Sequence, residues 1–211
     1  MYEGYLQTII EHFAIYWSLC LFLTFSDVLL YDKWFPLKKN NPRLKDSLTN
    51  IFKNVILNQL YSIPLFYLFN FENKSISFSE LLKLFPTIIL IEFLFYHIHV
   101  LFHNSYFFKK IHFKHHLWID PIALSTFYCH PLEHLLLNIF PFLASCRYMG
   151  LNLSTLRFLQ TLAIINTTFS AHSGYAITSN FHYFHHIYLN CNYGLIGLFD
   201  KIYSTKKENN F

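Results

Sequence analysis

The stretch HIHVLFHNSYFFKKIHFKHH, from His97 to His116, places six histidines in twenty residues of a strongly apolar chain. Its spacing is geometric. His99 and His103 are i, i+4 at the end of an apolar run, so on a helix both rings leave one face about a turn apart. His112, His115 and His116 are spaced i, i+3, i+4, and the block recurs as His182, His185 and His186. Each set is expected to converge on one stripe. Imidazoles buried without partners in an apolar setting are costly, so at least eight of them so placed must share something that offsets desolvation. A metal cluster does this, because neutral imidazole is a good ligand for iron, zinc or copper. Eight or more nitrogens exceed the demand of one ion, so two ions are implied. A pair of redox ions suits oxygen activation, while spacing alone leaves zinc open.

The rest of the chain explains why such a cluster sits in grease. Of 211 residues, 54% are hydrophobic, 20% aromatic and only 13% charged, which excludes an ordinary soluble domain and favours one membrane-embedded unit. Twelve of the thirteen histidines lie between His97 and His186. The four cysteines are scattered with no CxxC pair, which argues against a disulfide framework or a thiolate zinc site. Measured against a hydrocarbon core of about 30 Å, which takes about 20 helical residues, the apolar runs are few. They are Thr8 to Tyr31, Val55 to Phe71 with Pro64 inside it, and Leu84 to Phe108 with the single acid Glu92. The first is too long and wrongly flanked for a cleaved signal peptide. Leu135 to Cys146, too short to span, and Phe158 to Phe181 are expected to form a hairpin that dips into the bilayer and returns. The fold class is therefore all-α: an integral membrane helical bundle capped by a histidine-rich di-metal layer.

Basic residues orient the chain. If residues 32–54, 105–131 and 182–211 share one face, that face holds twelve of the sixteen Lys and Arg, leaving Lys74, Lys83, Arg147 and Arg157 on the other. The positive-inside bias then puts both histidine-rich blocks on the cytoplasmic side. The opposite loop carries Asn73-Lys74-Ser75, a possible glycosylation acceptor.

Together HxxxH (His99 to His103), HxxHH (His112 to His116), HPLEH (His130 to His134), HSGY (His172 to Tyr175) and HxxHH (His182 to His186) followed by NCNYG resemble the fatty acid hydroxylase/sterol desaturase superfamily. The resemblance covers about residues 84 to 205. It leaves residues 1–83 as N-terminal membrane helices with a basic connector and 206–211 as a polar tail. The segments KKIHFKHH, HPLEH and FHYFHH…YGLIGLFDKIYST look most like fatty acid hydroxylase domain-containing protein 2 and the C4-methylsterol oxidases. The first two boxes lie closer together than is usual in membrane desaturases, which favours the hydroxylase branch.

That resemblance implies a multi-pass endoplasmic reticulum enzyme with a non-haem di-iron centre. It would use O2 and electrons passed from NAD(P)H through cytochrome b5 and its reductase, and hydroxylate a lipid such as a C4-methyl sterol. Carried residue by residue, the ligand set is His99, His103, His112, His115, His116, His182, His185 and His186, with His172 from HSGY. His130 and His134 rank below these. The chain departs from the family at Val100, where most relatives have Arg, at Tyr183, where an acid is usual, and at Ser204-Thr205 in place of Gly-Thr.

Other residues take lesser roles. Glu92, Tyr96, His99 and His103 share a helix face, so Glu92 is expected to accept a hydrogen bond from a ligand imidazole and fix its tautomer. Glu133 is expected to orient His130 in the same way, and Asp200 and Lys201 to tie down the tail. His97 points off the face. His12 is expected to be interfacial and remote from the boxes. No GxGxxG fingerprint occurs, so the reductase is a separate chain, and the basic loops suit an acidic electron donor. Two alternatives stay open: a fatty acyl or sphingolipid hydroxylase, and a non-catalytic zinc-binding membrane protein.

Overall fold

The computed structural model describes residues 2–34, 48–172 and 181–207. The basic connector at 35–47 and the part of HSGY after His172 lie outside them. Among the described residues every element is helical. The long elements are α1 (Tyr2–Trp34), α2 (Leu48–Phe69) and α3 (Phe78–Phe102). Then come α4 (Ser105–Lys110), two tight turns of 3₁₀ helix (His112–Leu117 and Ala123–Phe127), and α5 (Pro131–Glu133). A π turn (His134–Ile139) carries α5 into α6 (Phe140–Tyr148). α7 (Leu153–Ile165) ends in a second π turn (Asn166–His172), and α8 (Phe181–Tyr188) and α9 (Leu198–Ile202) close the chain.

Two helical stretches, Glu3–Ser26 and Phe78–Phe102, are long and apolar enough to cross a membrane. Their outer faces carry exposed Leu6, Ile10, Phe22, Phe25, Leu82 and Phe85, side chains that water would not tolerate in such density and lipid would. The bundle's two ends differ in chemistry. At one end the N-terminus of α1, the α2–α3 loop and the α6–α7 turn are tied by polar caps. Ser77 and Glu80 form a capping box that starts α3, and Glu80 also accepts from the Asn152 backbone N–H and amide at 2.6 Å each. Asn152 in turn caps α7 by accepting from Thr155 N–H, and the Tyr5 hydroxyl donates to Phe71 O.

At this end the expected hairpin turns. Its first arm starts at Pro131, four residues before the apolar run, and runs through a π turn to Tyr148. Its turn donates Leu153 N–H to Glu72 O at 2.8 Å, so the hairpin reaches the level of the α2–α3 loop. The short apolar run underestimated the helix because its first turn carries the polar HPLEH residues.

The core divides accordingly. One cluster joins Tyr16, Cys20 and Val55 of α1 and α2 to Trp118, Leu124 and Phe127 of the loop that leads into α5. Asn58, fully buried on α2, clamps this loop by donating to Phe127 O at 2.9 Å and Cys129 O at 3.1 Å. A second cluster packs Leu143 and Cys146 of α6 against Leu153 and Leu156 of α7. None of the four cysteines is in a disulfide, and all are buried.

Candidate metal centre

The C-terminus of α3, the 112–117 turn, the end of the 166–172 π turn and α8 meet at the other end of the bundle. Their histidines form two groups. His99, His103, His112, His116 and His185 make one, and His115, His172, His182 and His186 the other; within each group the ring nitrogens available as ligand atoms all lie within 4.8 Å of one another. All but His103 are buried.

The blocks do not each feed a single stripe, as the spacing suggested. The 112–116 block gives His112 and His116 to the first group and His115 to the second, and α8 gives His185 to the first and His182 and His186 to the second. Adjacent residues leave a helical turn about 100° apart, so the paired histidines at the end of each block face different centres. Each block thereby bridges both.

Hydrogen bonds fix which nitrogen faces inward. Backbone carbonyls meet the Nδ1 of His99 (Tyr193 O, 2.6 Å), His185 (Cys191 O, 2.7 Å), His186 (Trp118 O, 2.8 Å), His172 (Thr167 O, 2.8 Å) and His115 (Tyr128 O, 3.4 Å). A carbonyl only accepts, so Nδ1 carries the proton and a neutral ring turns the Nε2 lone pair inward. There Nε2 atoms face one another: His99 to His112 at 3.1 Å, His112 to His103 at 3.0 Å and to His116 at 2.9 Å. In the second group His186 lies 3.1 Å from His115 and 3.2 Å from His182. Where both rings of a close pair give their protons to carbonyls, as His115 and His186 do, the facing lone pairs repel unless a cation lies between them. The donor set therefore fits metal ions, one per group, with imidazole nitrogen as ligand.

Electrostatics agree. Burial, with the neighbouring histidines, holds the imidazoles of His112, His115, His116, His182 and His186 well below their ordinary range. His185 is pushed down to about 4 by burial. The rings are neutral at physiological pH and their lone pairs are free.

The supporting carboxylates differ from expectation. Glu133 does not reach His130; its Oε1 lies 2.9 Å from His112 Nδ1, a close contact though not a well-aligned hydrogen bond. The helical path from His130 through α5 turns Glu133 inward, while His130 stays outside and caps α5 by accepting from Leu132 N–H. Glu92 touches no imidazole. Its carboxylate accepts four backbone N–H groups, from Leu195 and Ile196 on one oxygen and Gly197 and Leu198 on the other. It thus anchors the loop that supplies Tyr193 O to His99. Asp200 ties the same loop, accepting from the N–H groups of Tyr193 and Gly194 and from the Thr205 hydroxyl.

His134 is buried outside both groups, against Phe127 and Asn138. His97 is also outside, held to Phe93 O and packed on Phe199. Val100 is exposed. Tyr183, where an acid was expected, donates to the buried Asp120 at 2.8 Å and fastens α8 to the loop after the 112–117 turn.

An apolar cavity leads from the second group into the bundle. His115, His172, His182 and Glu133 lie at its histidine end; Phe95, Leu137, Phe142 and Ile164 line its walls; His12, Phe66 and Gln160 lie at the far part. Both π turns contribute lining residues, as π turns often do at functional sites. His12, expected to be remote from the boxes, lines this cavity with them. It is 6% exposed, stacked on Phe127 and bonded to Gln160, because the N-terminal helix packs along α7 rather than standing apart.

The sequence profile of the fatty acid hydroxylase family matches residues 84–205, more than half of the chain and all nine clustered histidines. The chain belongs to the fatty acid hydroxylase family. Its relatives include fatty acid hydroxylase domain-containing protein 2 of Homo sapiens, 41% identical over 118 residues, covering 54% of this chain and 35% of that protein. A fatty acid hydroxylase of Mycosarcoma maydis is 35% identical over 117 residues, covering 54% and 30%. A putative methylsterol monooxygenase of Dictyostelium discoideum is 31% identical over 246 residues, covering 95% and 85%. The chain thus spans about a third of the first two proteins and most of the third. No solved structure gives a significant match. Family members are typically iron-dependent, and the histidine groups fit that chemistry.

Proposed function

We propose that this fatty acid hydroxylase family chain is a membrane di-iron monooxygenase that inserts oxygen into an unactivated C–H bond of a lipid, with a C4-methyl sterol as the leading substrate. One observation carries the reading: two buried groups of inward-facing imidazole lone pairs, the second opening onto an apolar cavity. The sterol follows from the relative that aligns along 95% of the chain.

Two irons, when bound, supply the reduction of O2 and the oxidising power for the C–H bond. One oxygen atom enters the lipid; the other leaves as water, with two electrons and two protons from an external donor. Everything else falls to the protein. Tyr193 O, Cys191 O, Trp118 O and Thr167 O hold ring tautomers so that Nε2 faces the metal. Glu133 packs against the Nδ1 edge of His112 and sets the orientation of that ring. The cavity walls, Phe95, Leu137 and Phe142 among them, exclude water and hold the target carbon near His115, His172 and His182. The histidine end lies on the cytoplasmic side of the endoplasmic reticulum membrane. There Lys109, Lys110, Lys114 and Lys207 offer a basic surface for cytochrome b5, which relays electrons from NAD(P)H through its reductase.

Hydroxylation of a fatty acyl or sphingoid chain is the second reading, supported by the relative named as a fatty acid hydroxylase in Mycosarcoma maydis. The test is product analysis under isotopically labelled O2, with the purified protein, cytochrome b5, its reductase, and either a 4-methylsterol or long-chain acyl lipids. Label in the sterol's C4 substituent supports the leading reading; label in an acyl chain alone transfers the assignment to the second. No label in any lipid, with zinc bound, rejects both in favour of a zinc-binding protein.

A further inference from the structure

His12 and Gln160 form a polar pair inside the bundle, outside both histidine groups and unused by the chemistry above. His12 is 6% exposed and Gln160 likewise 6%. Gln160 engages His12 Nδ1, and with its amide nitrogen turned to that atom the imidazole proton lies on Nε2. That Nε2 has no hydrogen-bond partner. The ring lies against Phe66 and Phe127, which line the cavity with His12 and Gln160 themselves. A buried, unpaired donor costs stability, and a ligand oxygen reaching it from the cavity would recover that cost.

Position along α7 sets the scale. Gln160 and His172 lie on one helical path, twelve residues apart, which would be about 18 Å of straight α-helix and is less here because residues 166–172 form a π turn. A lipid oxygen held by His12 is therefore far from a carbon held at His172 and His182. The 3-hydroxyl of a 4-methylsterol cannot fill both ends, since it adjoins the carbon to be oxidised.

We infer that His12, oriented by Gln160, is a binding site for a hydrogen-bond-accepting oxygen at the end of the lipid opposite the oxidised carbon. The ligand class is an elongated lipid with a remote hydroxyl or carbonyl: an acyl or sphingoid chain entering head first, or a sterol oxygenated at the end of its side chain. The inference rests on the proposed lipid hydroxylation and refines its substrate. His12 positions the chain and so selects which carbon reaches the histidines.

The test is equilibrium binding to the full chain in nanodiscs, with octadecanal and octadecanol against octadecane, and a 4-methylsterol with and without a terminal side-chain hydroxyl. The oxygenated member of one pair is expected to bind about tenfold tighter than its hydrocarbon counterpart, the worth of one buried hydrogen bond. His12→Phe and Gln160→Leu should abolish that preference, and His12→Asn should keep part of it. Which pair responds separates the chain lipid from the sterol. Equal affinities within both pairs in the wild type, or a preference that survives His12→Phe, overturns the inference. Metal content and product formation are measured on the same samples. Metal-loaded, lipid-oxidising protein without the preference refutes the anchor alone, whereas a preference without any oxidation refutes the oxygenase reading alone.

Discussion

Glu92 and Gly194 meet so closely that a Cβ on residue 194 would lie 2.4 Å from Glu92 Oε1 and 2.8 Å from Asp200 Oδ2. Only a glycine lets the 194–198 backbone wrap the carboxylate that receives its four N–H groups. Gly194→Ala should cost about 1–3 kcal/mol of stability, the usual cost of overpacking. Because the same loop carries Tyr193 O to His99, the variant should also lose metal affinity. An unchanged Tm together with unchanged metal affinity would show that the loop is held by other contacts.

Glu133 lies beside His112, and outer partners of this kind are worth about 10–100-fold in metal affinity or activity. Glu133→Gln should lower metal affinity within that range while the fold persists, as circular dichroism would register. Wild-type affinity in the variant would mean that the contact at His112 does not tune the site.

The interleaving of the blocks predicts a split phenotype for neighbouring residues. His185→Ala removes a ligand from the first group and His186→Ala one from the second. Each should lose about one of two ions, and the double variant both. Complete loss from either single variant would show that the two groups act as one unit.

Acid should destabilise the metal-free protein in a defined window. His185 is held at about 4 in the fold against an ordinary value near 6.5. A histidine lowered on folding binds more protons in the unfolded state between those two values, so stability falls as pH drops through that window and is flat above it. His185 alone contributes up to about 3 kcal/mol of this loss. Chemical denaturation from pH 8 to pH 4 checks it; a flat profile would mean that the rings are solvated when no metal is bound.

The legible and illegible parts of this molecule divide along chain separation. His99, His103 and the two HxxHH blocks announce themselves because helical spacing puts their rings together locally. The division of each block between two centres is not legible, since it depends on how α8 docks against the 112–117 turn. Glu133 and His112 are 21 positions apart and their pairing needs the fold, as does the grip of Glu92 on a loop more than a hundred residues away. The place of His12 on the cavity is illegible for the same reason: its partner Gln160 lies 148 positions on, and a lone histidine in an apolar run carries no local signal. The start of the hairpin's first arm is illegible because the polar residues of HPLEH that begin α5 do not register in the apolar run.

The most direct measurement is metal stoichiometry with oxygen uptake on the detergent-purified chain from iron-supplemented cells, supplied with cytochrome b5, its reductase and candidate lipids. The account predicts about two irons per chain, one for each histidine group, with lipid-dependent O2 consumption that His115→Ala and His185→Ala both remove. Stoichiometric zinc with no uptake under any lipid would contradict it.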